Sequence, residues 1–123
     1  MKFAIITHVL HKQKGDQYFA YGPYVGEMNV WGQFVTQLLI VGAVEEKEPT
    51  AIDCDYHHKE IVFIPIDAID VLSWKSRIIA FFKLPRIAWR IFRAMCQADH
   101  IHLRCPGNIG LIGCIIQILF PFK

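Results

Sequence analysis

The sequence predicts an α/β domain: a mostly parallel sheet of about four strands with flanking helices. Three observations predict it. Short apolar, β-branched runs have the length of strands, amphipathic stretches have the length of helices, and the two kinds alternate as strand, helix, strand, strand, helices, strand, helix. With 123 residues, 54% hydrophobic and 20% charged, the chain has room for one domain, residues 1–123, with a packed core. So apolar a chain is also expected to leave surface that more protein or lipid would cover.

"KFAIITHV" is a strand buried on both faces. "LHKQKGDQYFAYG" follows as a loop, and Pro23 suits the first turn of a helix, "PYVGEMNVWGQFV", whose Tyr24, Met28, Trp31 and Val35 fall on one face. "TQLLIVGAV" is the second strand. The acidic, proline-bearing "EEKEPTAIDCDYHHKE" reads as loop and turn, and "IVFIPID" as a third strand that lies at an edge or ends at Pro65, which has no N–H to give a ladder.

"SWKSRIIAFFKLPRIAWRIFRAMCQAD" is helical in pattern, with Ser73 as N-cap and Pro85 splitting or kinking it. Ile87, Ile91 and Met95, with Ala88 alongside, give it a core face. "HIHLRC" is the fourth strand, and "NIGLIGCIIQILF" a final helix. The uncharged run from 105 to 122 reads as a buried helix, because Pro106, Gly107, Asn108 and Gln117 leave an apolar centre too short to span a membrane.

Charge is divided unevenly. Residues 75–104 hold seven basic side chains against Asp99 alone, about +6, and the remainder carries about −4. Lys83, Arg86, Arg90 and Arg93 form one stripe on an apolar helix, the pattern of either a solvated outer face or adhesion to an anionic membrane surface. Nucleic acid is not the expected partner, since neither a glycine-aromatic strand motif nor a helix-turn-helix pattern is present. Cys54, Cys96, Cys105 and Cys114 show no disulfide spacing and read as reduced core thiols of a cytoplasmic protein. The N-terminal run contains His8 and reads as a first strand, not a leader.

Ligands of parallel sheets gather at the carboxyl ends of strands, so two segments are candidates for a site: the one after the first strand and "LRCPGNIG" after the fourth. Gly15, Gly22 and Pro23 in the first, and Gly107, Asn108 and Gly110 in the second, fit either turn formation or the approach of backbone N–H groups to a phosphate. His8, His11 and His102 are candidate bases or structural histidines. Arg104 is the candidate anion clamp, because a guanidinium at a strand end is costly to desolvate without a carboxylate or phosphate. "CDYHH" gathers ligand types but lacks a second half at zinc spacing, and no metal is expected.

Taken together, "KFAIITHV", "YGPYVGEMNVW", "VTQLLIVGAV", the Trp- and Arg-rich helix and above all "ADHIHLRCPGNIGLIG" resemble the N-terminal half of a GT-B glycosyltransferase of the family 4 type, over nearly the whole chain. The resemblance implies a Rossmann-like domain that holds a glycan or lipid-linked acceptor, while a second, absent domain binds the nucleotide-sugar donor. It implies a metal-independent transfer needing no cofactor, with His8 and His102 as candidate catalytic groups. Gly15, Asp16 and Gly22 would approach donor phosphates or acceptor, and Arg104 with Asn108 would line the acceptor side. One departure is visible: the family's tight Gly-Gly first turn is replaced by a longer segment around Lys14-Gly15-Asp16. These expectations describe a truncated, nearly inactive half of an enzyme, cytoplasmic and peripheral at the inner membrane face. A flavodoxin-like binding module and a membrane-surface domain are the alternatives.

Overall fold

The computed structural model describes residues 1–67, 73–104 and 108–120. Its centre is a four-stranded, all-parallel sheet made of β1 (Lys2–Ile6), β4 (Gln37–Gly42), β7 (Ile61–Pro65) and β8 (His100–Leu103). The spatial order is β7-β4-β1-β8. Numbered by chain order within the sheet this is 3-2-1-4, the Rossmann-like arrangement, with the direction of strand addition reversing between β1 and β8.

Buried on both faces, β1 has to be apolar throughout, and Phe3 to Ile6 are all inaccessible to solvent. Phe3 and Ile5 look toward α1 (Gly22–Gly32), packing with Leu38, Ile40, Val25 and Met28. Ile6 and Val41 look the other way, toward Ile87, Ile91 and Met95 of α2 (Trp74–Gln97) and Ile109 and Ile116 of α3 (Asn108–Leu119). Among the described residues, one helix lies on one face and two on the other.

Pro65 closes β7 at the sheet edge, as its missing N–H requires. Ser73 caps α2 by accepting the Ser76 N–H at 3.1 Å. Pro85 neither splits the helix nor ends it: α2 runs through it as one 24-residue element, and the carbonyl four residues back, on exposed Phe81, forgoes its helical partner.

Several expectations are corrected. The expected first loop is a hairpin, β2 (His11–Lys14) and β3 (Gln17–Tyr21), joined by Gly15 and Asp16. Gly15 takes φ +60°, which the first position of a type II′ turn demands. The hairpin anchors a second sheet, ordered β5-β2-β3-β6, that recruits β5 (Val44–Glu46), which starts on the last residue of the run read as the second strand, and β6 (Asp53–Asp55), from within the segment read as loop and turn. Lys12 and Asp53 form an ion pair at 2.7 Å across it.

On α1 the buried set is Tyr24, Val25, Met28 and Gly32, while Trp31 is partly exposed and Val35 lies beyond the helix. Among the described cysteines, Cys54 and Cys96 are exposed thiols, not core ones, and Cys114 is half-buried. α3 is buried along Ile109, Gly110, Gly113 and Ile116 only, leaving Leu111, Ile115, Ile118 and Leu119 exposed, as is Phe120 just beyond it. No helix among the described residues is long and apolar enough to cross a membrane.

Candidate functional site at the strand-order reversal

Strand periodicity explains the titratable groups of β8. Its register pairs His100 with Phe3 and His102 with Ile5 across β1, so His100 and His102 share the α1 side of the sheet, and Arg104, two residues on, continues the row. Ile101 and Leu103 alternate onto the α2–α3 side and join that core. A polar row therefore runs up an edge strand toward the carboxyl end, facing the flank of α1.

At its upper end Arg104 is fixed from three directions. Its backbone N–H donates to the Ile6 carbonyl at 3.0 Å. Its guanidinium lies 4.6 Å over the Tyr24 ring, and Nη1 is 3.5 Å from Glu27 Oε2. Tyr24 and Glu27 are three residues apart on α1 and so present ring and carboxylate to one point. The ion pair keeps solvent contact, with side chains 30% and 50% exposed for Arg104 and Glu27, so the cation is oriented yet open to a further anion.

Behind it lies a buried polar chain. His11 Nδ1 faces the Val9 carbonyl at 2.9 Å and must carry a proton there, which leaves Nε2 to accept from the Tyr56 hydroxyl at 2.7 Å. The Tyr56 and Tyr24 hydroxyls are 3.2 Å apart. Burial drives the His11 pKa down to about 4, against the raising effect of the Val9 and Ala43 carbonyls, so His11 is neutral. Burial raises both phenols: at Tyr24 the Tyr56 and Thr7 hydrogen bonds and Arg104 oppose the shift, and at Tyr56 the neighbouring Tyr24 adds to it. The chain is uncharged at neutral pH, and it locks the ring on which Arg104 rests.

His102 is half-buried against Phe3, at 6.2 Å between ring centres, and Trp31, at 5.5 Å. Burial lowers its pKa; the Glu27 charge opposes this, while Arg104 and His100 add to it. His102 thus favours the neutral imidazole, two residues from the cation. His8 is exposed on the segment leaving β1.

The proposed phosphate cradle is not assembled. Gly15 and Asp16 occupy the exposed hairpin tip, and Gly22 sits at the far end of β3, a strand about 16 Å long. The Gly22 N–H donates to the Ile52 carbonyl at 2.8 Å, and the next helical residue is Pro23, which has none. Two of the four N–H groups that a helix N-terminus ordinarily offers are therefore removed at α1. Asn108 is exposed at the start of α3, beyond Arg104; Cys105, Pro106 and Gly107 lie outside the described residues.

"CDYHH" serves structure. His58 Nε2 donates to the Val35 carbonyl at 2.9 Å and its Nδ1 accepts the Glu60 N–H at 3.0 Å, which engages both nitrogens. His57 is 3.7 Å from Asp55. Among the described residues no group of three or more His, Cys, Asp or Glu side chains is placed to hold a metal ion.

Of the basic stripe, Arg86 and Arg93 are exposed, Lys83 is half-buried, and Arg90 donates to the Pro65 carbonyl at the end of β7. Sequence reasoning missed Tyr24, Glu27 and Tyr56 as partners of Arg104 and His11. Tyr24 and Glu27 share a helix side by their spacing, but only the strand order brings Arg104 to it. No family model matches this chain, and neither a curated protein nor a solved structure is significantly similar to it.

Proposed function

We propose that this chain is the acceptor-holding domain of a GT-B, family 4 type glycosyltransferase, and that its acceptor carries an anionic group recognised by Arg104. The observation that supports this most is the placement of a fixed, half-exposed guanidinium at the strand-order reversal of a Rossmann-like sheet, where such sheets bind ligands. In the reaction, the bond between the donor sugar's anomeric carbon and its phosphate oxygen breaks. A bond to an acceptor hydroxyl oxygen forms, the hydroxyl proton passes to a base, and the nucleoside diphosphate leaves with the electron pair. Arg104 would position the acceptor by its anionic group, and His8, exposed beside the β1 terminus, is the accessible candidate for the base. His11 does not fit that role, since its nitrogens are engaged and it is buried.

The test is a titration with a sugar 1-phosphate, read by tryptophan fluorescence and calorimetry, on the wild type and on Arg104→Gln. A charge-assisted contact contributes about 1.5–3 kcal/mol, so the variant should bind about ten- to a hundredfold more weakly. Equal binding by both proteins, or none by the wild type, removes the proposal.

A further inference from the structure

On the opposite side of the sheet, α2 and α3 carry an apolar surface that the fold does not use. In the first half of α2, residues 74–86, only Ala80 is buried; Trp74 and Phe82 are 78% and 76% exposed, and Ile78, Ile79 and Phe81 more than half. These side chains are not randomly disposed. At 100° per residue, Ala80, Ile87, Ile91 and Ala94 define the core-facing sector. Trp74, Ile78, Phe81, Phe82 and Trp89 fall in one sector turned away from it, of which Trp89 reaches the α3 side, and Lys75, Arg86 and Arg93 border that sector along one margin.

Between the helices runs a groove of about 540 Å³, walled by Leu84, Pro85, Trp89, Ile115, Leu119 and Phe120. α2 contains six basic residues and no acidic one, and α3 contains no charge at all.

We propose that this α2–α3 face docks on an anionic lipid bilayer, α2 lying in the interface with its aromatic sector inserted and the groove taking an acyl chain. Charge complementarity selects the occupant. Among the described residues of α2 and α3 every charge is positive, and such charges along the margin of an apolar sector match a layer of anionic headgroups over hydrocarbon. Tryptophan suits that boundary, because its ring is apolar and its N–H is polar; the Arg77 guanidinium lies 5.4 Å over the Trp74 ring. The long stems of Lys75 and Arg86 let their charges reach headgroups while the neighbouring apolar rings go deeper. This inference is independent of sugar transfer, and its test reads partitioning alone.

The experiment is co-sedimentation of the chain with vesicles of phosphatidylcholine mixed with phosphatidylglycerol, against phosphatidylcholine alone, at low and high salt. Wild type should sediment with the anionic vesicles and be released by salt. Because each basic residue near such a surface contributes about 1 kcal/mol, Lys75→Ser with Arg86→Ser should weaken partitioning about twenty- to thirtyfold. Phe81→Ser with Phe82→Ser, both solvent-facing and expected to preserve the circular dichroism spectrum, should weaken it about a hundredfold or more. Brominated acyl chains should quench tryptophan fluorescence, and Trp89→Phe should remove part of that quenching.

Three results would each overturn the proposal. One is wild type remaining in the supernatant with anionic vesicles. Another is unchanged binding by either double variant. The last is a lipid-free dimer, seen by sedimentation velocity and abolished by Phe81→Ser with Phe82→Ser, without vesicle binding; that would assign the face to a second copy of this chain.

Discussion

Acidification should unfold this protein through His11. The ring is inaccessible, its Nδ1 proton is given to a carbonyl, and its Nε2 accepts from Tyr56, so the folded state has no place for a second proton. Folding lowers the pKa from the ordinary 6.5 to about 4. The unfolded chain therefore binds the proton first, and stability falls as pH drops below 6.5, with the loss complete only below the folded value near 4. Between about pH 7.5 and about pH 5 the linkage relation gives a loss of about 2 kcal/mol from this one group.

His102, whose pKa is lowered mainly by burial, contributes in the same direction, whereas Asp53, lowered mainly by its Lys12 hydrogen bond, loses its contribution only at lower pH. Urea titrations at the two pH values should show the midpoint falling by about 1–2 M, for an m-value of about 1–2 kcal/mol/M. Nuclear magnetic resonance of the His11 ring proton supplies the direct check. A resonance titrating near 6.5 in the folded protein, or a stability flat across that range, refutes the reasoning.

Gly22→Ala should destabilise the fold by about 1–3 kcal/mol in a denaturant titration, because its Cβ would stand 2.9 Å from the Ile52 carbonyl oxygen and 3.2 Å from Cys54 Sγ, and the backbone oxygen cannot move aside. Tyr56→Phe should cost about 1–3 kcal/mol by the same assay, since it strips the buried His11 Nε2 of its donor while keeping the ring.

The parallel sheet was legible because its two central strands, β1 and β4, are buried on both faces and leave continuous apolar runs, and because Ser73, Pro65 and the Ile87, Ile91, Met95 spacing each state a local rule that the fold obeys. The second sheet was not. Gly15-Asp16 is a recognisable hairpin turn, but "HKQK" beside it lacks apolar alternation, and three-residue strands such as Asp53–Asp55 carry too little pattern to read. Arg104 could be singled out from the cost of desolvating it. Its partner Glu27 could not, because 77 residues separate the two and only the order of the strands joins them. α3 misled for another reason: composition reports that a helix is apolar without telling which of its faces meets the core.

The interception of the Gly22 N–H by Ile52 has a consequence for how this domain can change its preferences. Where a fold attracts anions with the backbone of a helix end, no replacement of a side chain abolishes the attraction, and ligand charge is built into the architecture. At α1 two of those backbone groups are already committed, and among the described residues of the site the positive charge is that of Arg104. One codon is then enough to neutralise or invert the site without disturbing the sheet. Related chains that keep this scaffold are expected to differ in the charge of what they hold, and position 104 is where that difference should be written.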